Sequence, residues 1–346
     1  MKPKSQKVVV TGGGGFIGSH LVDTLMRENK DVTVFDNFSS GKRENLNAHA
    51  NDSKLRIIDG DVRNPSELLR SLEGADLVYH LATHCVRLSL TEPMTNHEIN
   101  ATGTLNVLAA AKKVGVRRFV YCSSSEVFGA SETDGNLNEH APKNPTTVYG
   151  ASKLIGEHYA HVYHLLYDLP SMVVRPFNAY GPRSHLFGPY GEVIPRFSIM
   201  CLAGRQPVIF GDGNQTRDFT YVEDIAAGLV ACASTDALLG SSVNLAKGTK
   251  VSVNQLATTI AKIVGSSLKP KYVGERPGDI RSLGADVSKA KVVLPRVPSV
   301  ELEEGLARYI HWLRTQRLDF GALADRLIDQ NWAGETTKSA RFPRAA

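Results

Sequence analysis

Residues 7–20 read KVVVTGGGGFIGSH. Lys7–Thr11 is a short β-branched run, the composition of a buried strand. Four glycines follow at once. Ser19–Arg27 then carries apolar residues at positions 21, 22, 25 and 26, which is helical spacing. Gly12, Gly15 and Gly18 satisfy G-x-x-G-x-x-G, and Gly13, Gly15 and Gly18 satisfy G-x-G-x-x-G. The early glycines allow a tight turn and let backbone amides approach a pyrophosphate. Gly18 lets the helix pack close to its strand, and the helix N-terminus, with Phe16 and Ile17, offers unpaired N–H groups and the positive end of a dipole. Such glycines are weak evidence alone. Here they join a strand to a helix, and Asp36 ends a second strand 18 residues after Gly18, which makes them a dinucleotide site.

Working outward, Asp31–Asp36, Leu55–Asp59, Leu77–His80 and Phe119–Cys122 are further strands, spaced to leave room for helices. Continuous apolar strands alternating with helices predict an α/β fold, a Rossmann-type doubly wound parallel sheet covered on both faces. From about Phe177 the pattern changes to Gly- and Pro-rich loops, with helices over Val193–Ala203, Val222–Ser234 and Val253–Val264. This divides the chain into a dinucleotide-binding domain over 1–176 and a smaller mixed α/β substrate-binding domain over 177–330. Part of 218–248 is expected to rejoin the sheet near Asn244, and the polar stretch 331–346 reads as a frayed tail.

Asp36 selects the cofactor. A carboxylate there accepts hydrogen bonds from the adenosine ribose hydroxyls and repels a 2′-phosphate, so NAD is favoured. Arg43, seven residues on, leaves room for NADP. Asn37, Ser40 and Gly41 in the following loop are candidate cofactor contacts.

The 346 residues carry a formal charge of +5 with both signs interspersed, which does not point to nucleic acid. The N-terminal apolar run is only Val8–Val10, neither a signal peptide nor a membrane span. The four cysteines (Cys85, Cys122, Cys201, Cys232) lie far apart without metal-ligand spacing, so free thiols and a cytoplasmic location are expected. His158, His161 and His164 share helical spacing without a carboxylate or cysteine partner. They read as helix-surface or interface residues, and no metal site is expected.

Chemistry concentrates in two stretches. VYGASK places Tyr149 and Lys153 four apart, on one face of a helix, where an ammonium beside a phenol favours the phenolate. CSSSEVFG, residues 122–129, follows the apolar strand and offers Ser124, Ser125 and Glu126. Arg87, after the fourth strand, lies at the rim where such folds bind substrates and suits a sugar carboxylate.

With TGGGGFIG, YGASK and the serine-rich segment, the chain resembles the extended short-chain dehydrogenase/reductases, and within them the nucleotide-sugar epimerases, dehydratases and decarboxylases. GDVRN (60–64), HLAT (80–83), EINATGT (98–104), RPFNAYGPR (175–183), GDGNQTRDFTYVEDIA (211–226) and RPGDIR (276–281) extend the match over roughly residues 7 to 315. The resemblance implies that Asp61 and Val62 flank the adenine, and that Leu81, Ala82, Thr83, Asn100 and Pro176 lie along NAD. It implies that Ser124 hydrogen-bonds the sugar hydroxyl, Tyr149 removes its proton, and Lys153 also holds the nicotinamide ribose. Asn178, Arg217 and Arg276 would meet the diphosphate, Phe210 the base, and Val193 and Asp279 the rest of the nucleotide sugar. It also implies a homodimer. Sensor-type members that bind a dinucleotide without catalysis tend to lack the tyrosine or lysine retained here.

The branches share a 4-keto sugar and part afterwards. A 4,6-dehydratase needs a base at carbon 5, a role open to Glu126, and decarboxylases also tend to carry Ser/Thr–Ser–Glu here. Ser125 stands where the best-known dehydratases have aspartate. HLATHCVRLSL and NPTTVYGASKLIGE look most like UDP-sugar 4-epimerases. The first reading is therefore a 4-epimerase acting on a UDP-hexose or UDP-hexuronic acid, with dehydratase and decarboxylase as alternatives.

Overall fold

The structure is a computed structural model that describes residues 6–129, 135–186, 192–275 and 280–327. The expected contacts Arg276 and Asp279, and the tail, lie outside the described residues. The chain runs β1 (Lys7–Thr11), α1 (Phe16–Arg27), β2 (Asp31–Asp36), β3 (Leu55–Asp59), α2 (Pro65–Ser71), β4 (Leu77–His80), α3 (Pro93–His97), α4 (Gly103–Val114), β5 (Arg118–Cys122), α5 (Val148–Tyr167) and β6 (Ser171–Pro176). Then come β7 (Ala179–Tyr180), α6 (Val193–Leu202), β8 (Val208–Phe210), β9 (Thr216–Asp218), β10 (Thr220–Tyr221), α7 (Val222–Ala233), β11 (Ser242–Leu245), β12 (Lys250–Ser252) and α8 (Val253–Val264). Last are β13 (Lys271–Val273), β14 (Ser282–Leu283), α9 (Ser288–Val293), α10 (Leu302–Thr315) and α11 (Phe320–Asp325).

Seven parallel strands form one sheet in the order β3-β2-β1-β4-β5-β6-β11. This is the doubly wound arrangement expected from the strand–helix alternation. Successive side chains of β1 point to opposite faces. Val8 and Val10 join Leu21 and Leu25 of α1 and Ile225 and Leu229 of α7. Val9 joins Leu68 of α2, Leu108 of α4 and Ala160 of α5. Each fully buried aliphatic chain contributes about 1.5–3 kcal/mol, so both faces must be covered for the sheet to hold. β11 pairs with β6 in the sheet, with Asn244 opposite Arg175.

A third apolar cluster lies apart from the sheet. Ile194 and Phe197 of α6, Leu256 and Ile260 of α8, and Leu306, Tyr309 and Leu313 of α10 pack there around Ile209 of β8. Small two- and three-stranded sheets hold its edge, β13 with β8 and β12-β9-β14. Among the described residues no helix is long and apolar enough to cross a membrane, and no group of three or more potential metal ligands occurs. His161 and His164 on α5 lie instead against the Gly240 and Leu169 carbonyls, at 3.2 and 3.3 Å.

Candidate active site

The connections of the sheet reverse between β1 and β4, which opens a crevice beyond the strand ends. There lies a cleft of about 1540 Å3, floored by the sheet and roofed by α6 and β8. That volume exceeds the ~300–1,000 Å3 of a typical small-molecule site and suits two ligands side by side.

Its cofactor end is built from backbone. Gly12 has φ +71°, and a Cβ there would stand 2.6 Å from the Ala82 nitrogen. A Cβ on Gly18 would stand 2.1 Å from the Gly12 carbonyl oxygen, so only hydrogen fits between helix and loop. Helix α1 starts at Phe16, three residues earlier than its apolar spacing announced, because Gly15 serves as an N-cap with no side-chain hydrogen bond. Its first amides are thus presented to the cleft, which fits a dinucleotide pyrophosphate. Asp36 is buried. Its Oδ2 accepts from the Gly14 amide at 2.8 Å and its Oδ1 from the Phe38 amide at 2.8 Å. Burial raises its pKa, and those two amides oppose the rise. Arg43 stacks 4.2 Å from the Phe38 ring centre and pairs with Asp59 at 2.7 Å. The arginine that could have met a 2′-phosphate is thus committed elsewhere, in keeping with NAD.

Asn37, Ser40, Gly41, Asp61, Val62, Leu81, Ala82, Thr83 and Pro176 line the same cleft. Asp61 accepts from Asn37 at 3.0 Å and from Arg63, which holds its carboxyl down at about 2. Asn100 is fully buried behind the wall. Its Oδ1 accepts from Thr83 Oγ1 at 3.0 Å and the His84 amide at 2.8 Å, and its Nδ2 donates to the His84 carbonyl at 3.0 Å. A π-helical turn over Glu98–Thr102 turns it toward that segment, and no apolar pattern announces such a turn.

At the catalytic end, α5 is capped by Thr147, whose hydroxyl accepts from the Gly150 amide at 3.0 Å. A Cβ on Gly150 would stand 2.6 Å from the Glu126 carbonyl oxygen. The glycine of VYGASK therefore lets the first turn of α5 lie on the serine loop. Tyr149 and Ser124 meet there, and the Ser124 hydroxyl lowers the Tyr149 pKa. Ser124 also accepts from the Glu126 amide at 3.2 Å, and Ser125 and Glu126 reach the cleft wall.

Lys153 is held by backbone and by an aromatic face. Lys153 donates to the Cys122 carbonyl at 2.6 Å and lies 4.8 Å over the Tyr121 ring. Burial lowers its pKa to about 8, with Cys122 and Glu157 opposing. Burial raises the pKa of Tyr149, and the Ser124 hydroxyl lowers it. Sequence reading also missed Glu157, one turn beyond Lys153. It forks onto buried Arg175 at 2.8 and 2.7 Å and accepts from Ser123 at 2.5 Å. Its signal was the four-residue spacing from Lys153 on one helix face.

On the roof, Val193, Phe210 and Arg217 line the cleft with Asn178. Arg217 Nη1 donates to the Thr216 and Ile280 carbonyls at 2.8 and 2.6 Å. The buried Nδ2 of Asn178 has no hydrogen-bond partner, which suits a ligand oxygen. Arg87 lines the cleft, is largely buried, and is forked onto Glu192, the N-cap residue of α6.

The model of the NAD dependent epimerase/dehydratase family matches residues 8–246. The chain belongs to this family. A UDP-glucose 4-epimerase of Mycolicibacterium smegmatis is 36% identical over 315 residues, 90% of this chain and 99% of the relative. Among solved structures, a UDP-N-acetylglucosamine 4-epimerase from Methanobrevibacter ruminantium, in complex with UDP-N-acetylmuramic acid, superposes with a TM-score of 0.86. It is 37% identical and covers 91% of this chain and 100% of that one. A UDP-glucuronic acid 4-epimerase from Bacillus cereus, in complex with UDP-glucuronic acid and NAD, gives a TM-score of 0.84. It is 32% identical, covering 90% of this chain and 100% of that one. Family membership makes NAD the cofactor for which this backbone-built end is shaped.

Proposed function

We propose that the protein is an NAD-dependent UDP-sugar 4-epimerase. One observation carries the reading: the Tyr149–Ser124 hydroxyl pair sits where the cofactor end of the cleft opens into the side-chain-lined end. When bound, NAD supplies the acceptor for the hydride of sugar carbon 4 and its source on return. The protein's residues do the rest. Ser124 orients the 4-hydroxyl, and Tyr149 takes its proton as the alcohol becomes a ketone. After the keto sugar turns in the pocket, Tyr149 returns the proton to the oxygen on the other face. The Ser124 hydroxyl and the positive charge of an oxidised nicotinamide favour the phenolate, against the burial that raises the Tyr149 pKa. Arg217 and Asn178 suit the diphosphate, and Phe210 the base.

Epimerisation needs no second base, so Glu126 is left to bind a sugar hydroxyl or to support the loop. The decisive experiment incubates the protein with NAD and separate UDP-sugars and weighs the products. An isomer of unchanged mass is expected. Loss of water would make it a dehydratase, and loss of carbon dioxide a decarboxylase. In the same assay Glu126→Gln should lower kcat less than about tenfold, whereas a dehydratase would lose ~100-fold or more.

A homodimer fits the same reading. Leu165, Leu166 and Tyr167 on α5 and Met94 on α3 are exposed apolar side chains of the kind an interface covers. Light scattering that gives a monomer mass would refute it.

A further inference from the structure

We propose that Glu192 is a specificity residue that commits the sugar pocket to neutral hexoses and against hexuronates. This rests on the UDP-sugar reading above.

A sugar carboxylate needs a cation whose hydrogen-bond donors are open. Among the described residues Arg87 lines the cleft together with Glu126 and Tyr149. Its side chain is only 8% exposed. Both Nη groups are engaged, donating to the two carboxylate oxygens of Glu192, Nη2 at 3.1 Å, so that only the buried Nε is left without a partner. Such a bidentate pair uses the geometry by which a guanidinium would grip a ligand carboxylate.

The surrounding charges reinforce the block. Arg87 faces Glu192, Glu126 and the Cys85 thiol. His185, which also senses Glu192, has its pKa lowered by burial and adds no positive charge near neutral pH. The other cleft cations are Lys153 beside Tyr149, Arg196 on α6 and Arg217 on β9. Lys153 is held by the Cys122 carbonyl, and Arg217 by the Thr216 and Ile280 carbonyls.

A hexuronate would therefore set its carboxylate beside that of Glu192, whose side chain is half exposed, or break the pair and leave one carboxylate without the buried arginine. Either is unfavourable, and repulsion of this kind is an effective discriminator. A neutral hydroxymethyl group meets an already paired arginine and carries no charge to accommodate. Glu192 also stands apart from the catalytic pair, contributed by the roof rather than by the sheet.

The test is calorimetric titration of the NAD-loaded protein with UDP, UDP-glucose and UDP-glucuronic acid, for wild type, Glu192→Gln and Glu192→Asp. Wild type should bind UDP-glucose more tightly than UDP-glucuronic acid by about tenfold or more. Glu192→Gln should move that ratio toward the uronate by about tenfold, and Glu192→Asp should retain most of the discrimination. Thermal melting of each variant reports whether the fold is kept. Wild type binding UDP-glucuronic acid as tightly as UDP-glucose would overturn the proposal, as would an unchanged ratio in Glu192→Gln. No affinity for UDP itself would overturn the nucleotide-sugar reading, and this proposal with it. Because the readout is binding, absence of turnover leaves the discrimination measurable.

Discussion

At one end of the cleft Gly12, Gly18 and Asp36 work through backbone: a missing Cβ, a row of amides, a carboxylate pinned by two N–H groups. At the other end Ser124, Tyr149, Arg87 and Glu192 work through side chains carried on four separate segments. The first end tolerates almost no change, because any added atom meets main chain that cannot move. The second can be retuned residue by residue, because each side chain can change without disturbing the sheet. A shared cofactor chemistry with divergent sugars and outcomes is what such a division permits.

The contrast can be broken or sharpened experimentally. The largest expected effect is at the side-chain end. Tyr149→Phe removes the one hydroxyl able to take the proton and should lower kcat by about 10³-fold or more. Its NAD affinity, measured by fluorescence titration, should stay near wild type. A variant with ordinary turnover would remove Tyr149 from the chemistry.

Next comes the backbone end. Gly18→Ala puts a methyl 2.1 Å from the Gly12 carbonyl oxygen, with no flexible neighbour to yield. Unfolding free energy should fall by roughly 3–4 kcal/mol, with loss of NAD binding. If denaturant melts and NAD titrations are both unaffected, the glycine loop is less rigid than its geometry demands.

The smallest effect tests the seam between the ends. His20 on α1 lies 2.9 Å from the Pro182 carbonyl, in the loop leading toward α6. Burial lowers its pKa from 6.5 to about 4. The folded state therefore binds fewer protons than the unfolded chain between those values. Its neutral form stabilises fully above pH 6.5, and that contribution is lost as the pH falls toward about 4, by roughly 3 kcal/mol. His80, lowered to about 3, acts in the same direction. Unfolding free energy from denaturant melts should fall as the pH is lowered across this range, and His20→Gln should flatten that slope. An identical slope in that variant would mean the seam carries no such load.

Much of the backbone end was legible in the order of residues. β1 to β4 run where their β-branched and apolar runs begin and end; for β1 and β4, buried on both faces, this is because such a strand needs apolar residues throughout. The glycine spacing and Asp36 were readable because one strand, one turn and one helix contain the whole motif. The side-chain end was legible as a set of candidates and not as an arrangement. Lys153 was recognisable, but its grip on the Cys122 carbonyl depends on how α5 lies across β5. Asn100 was recognisable too, but a π turn sets it behind Thr83. The Arg87–Glu192 fork joins residues 105 apart, and neither flanking stretch announces the other.

By itself, then, the sequence determined the doubly wound sheet, the glycine cradle and the Tyr–Lys helix, since hydrophobic period and steric allowance are local properties read within a few turns of chain. Only the tertiary structure decided which carboxylate meets which arginine and which hydroxyl meets the phenol. Those pairings depend on distance through space, and burial sets both their strength and the protonation of the groups that make them.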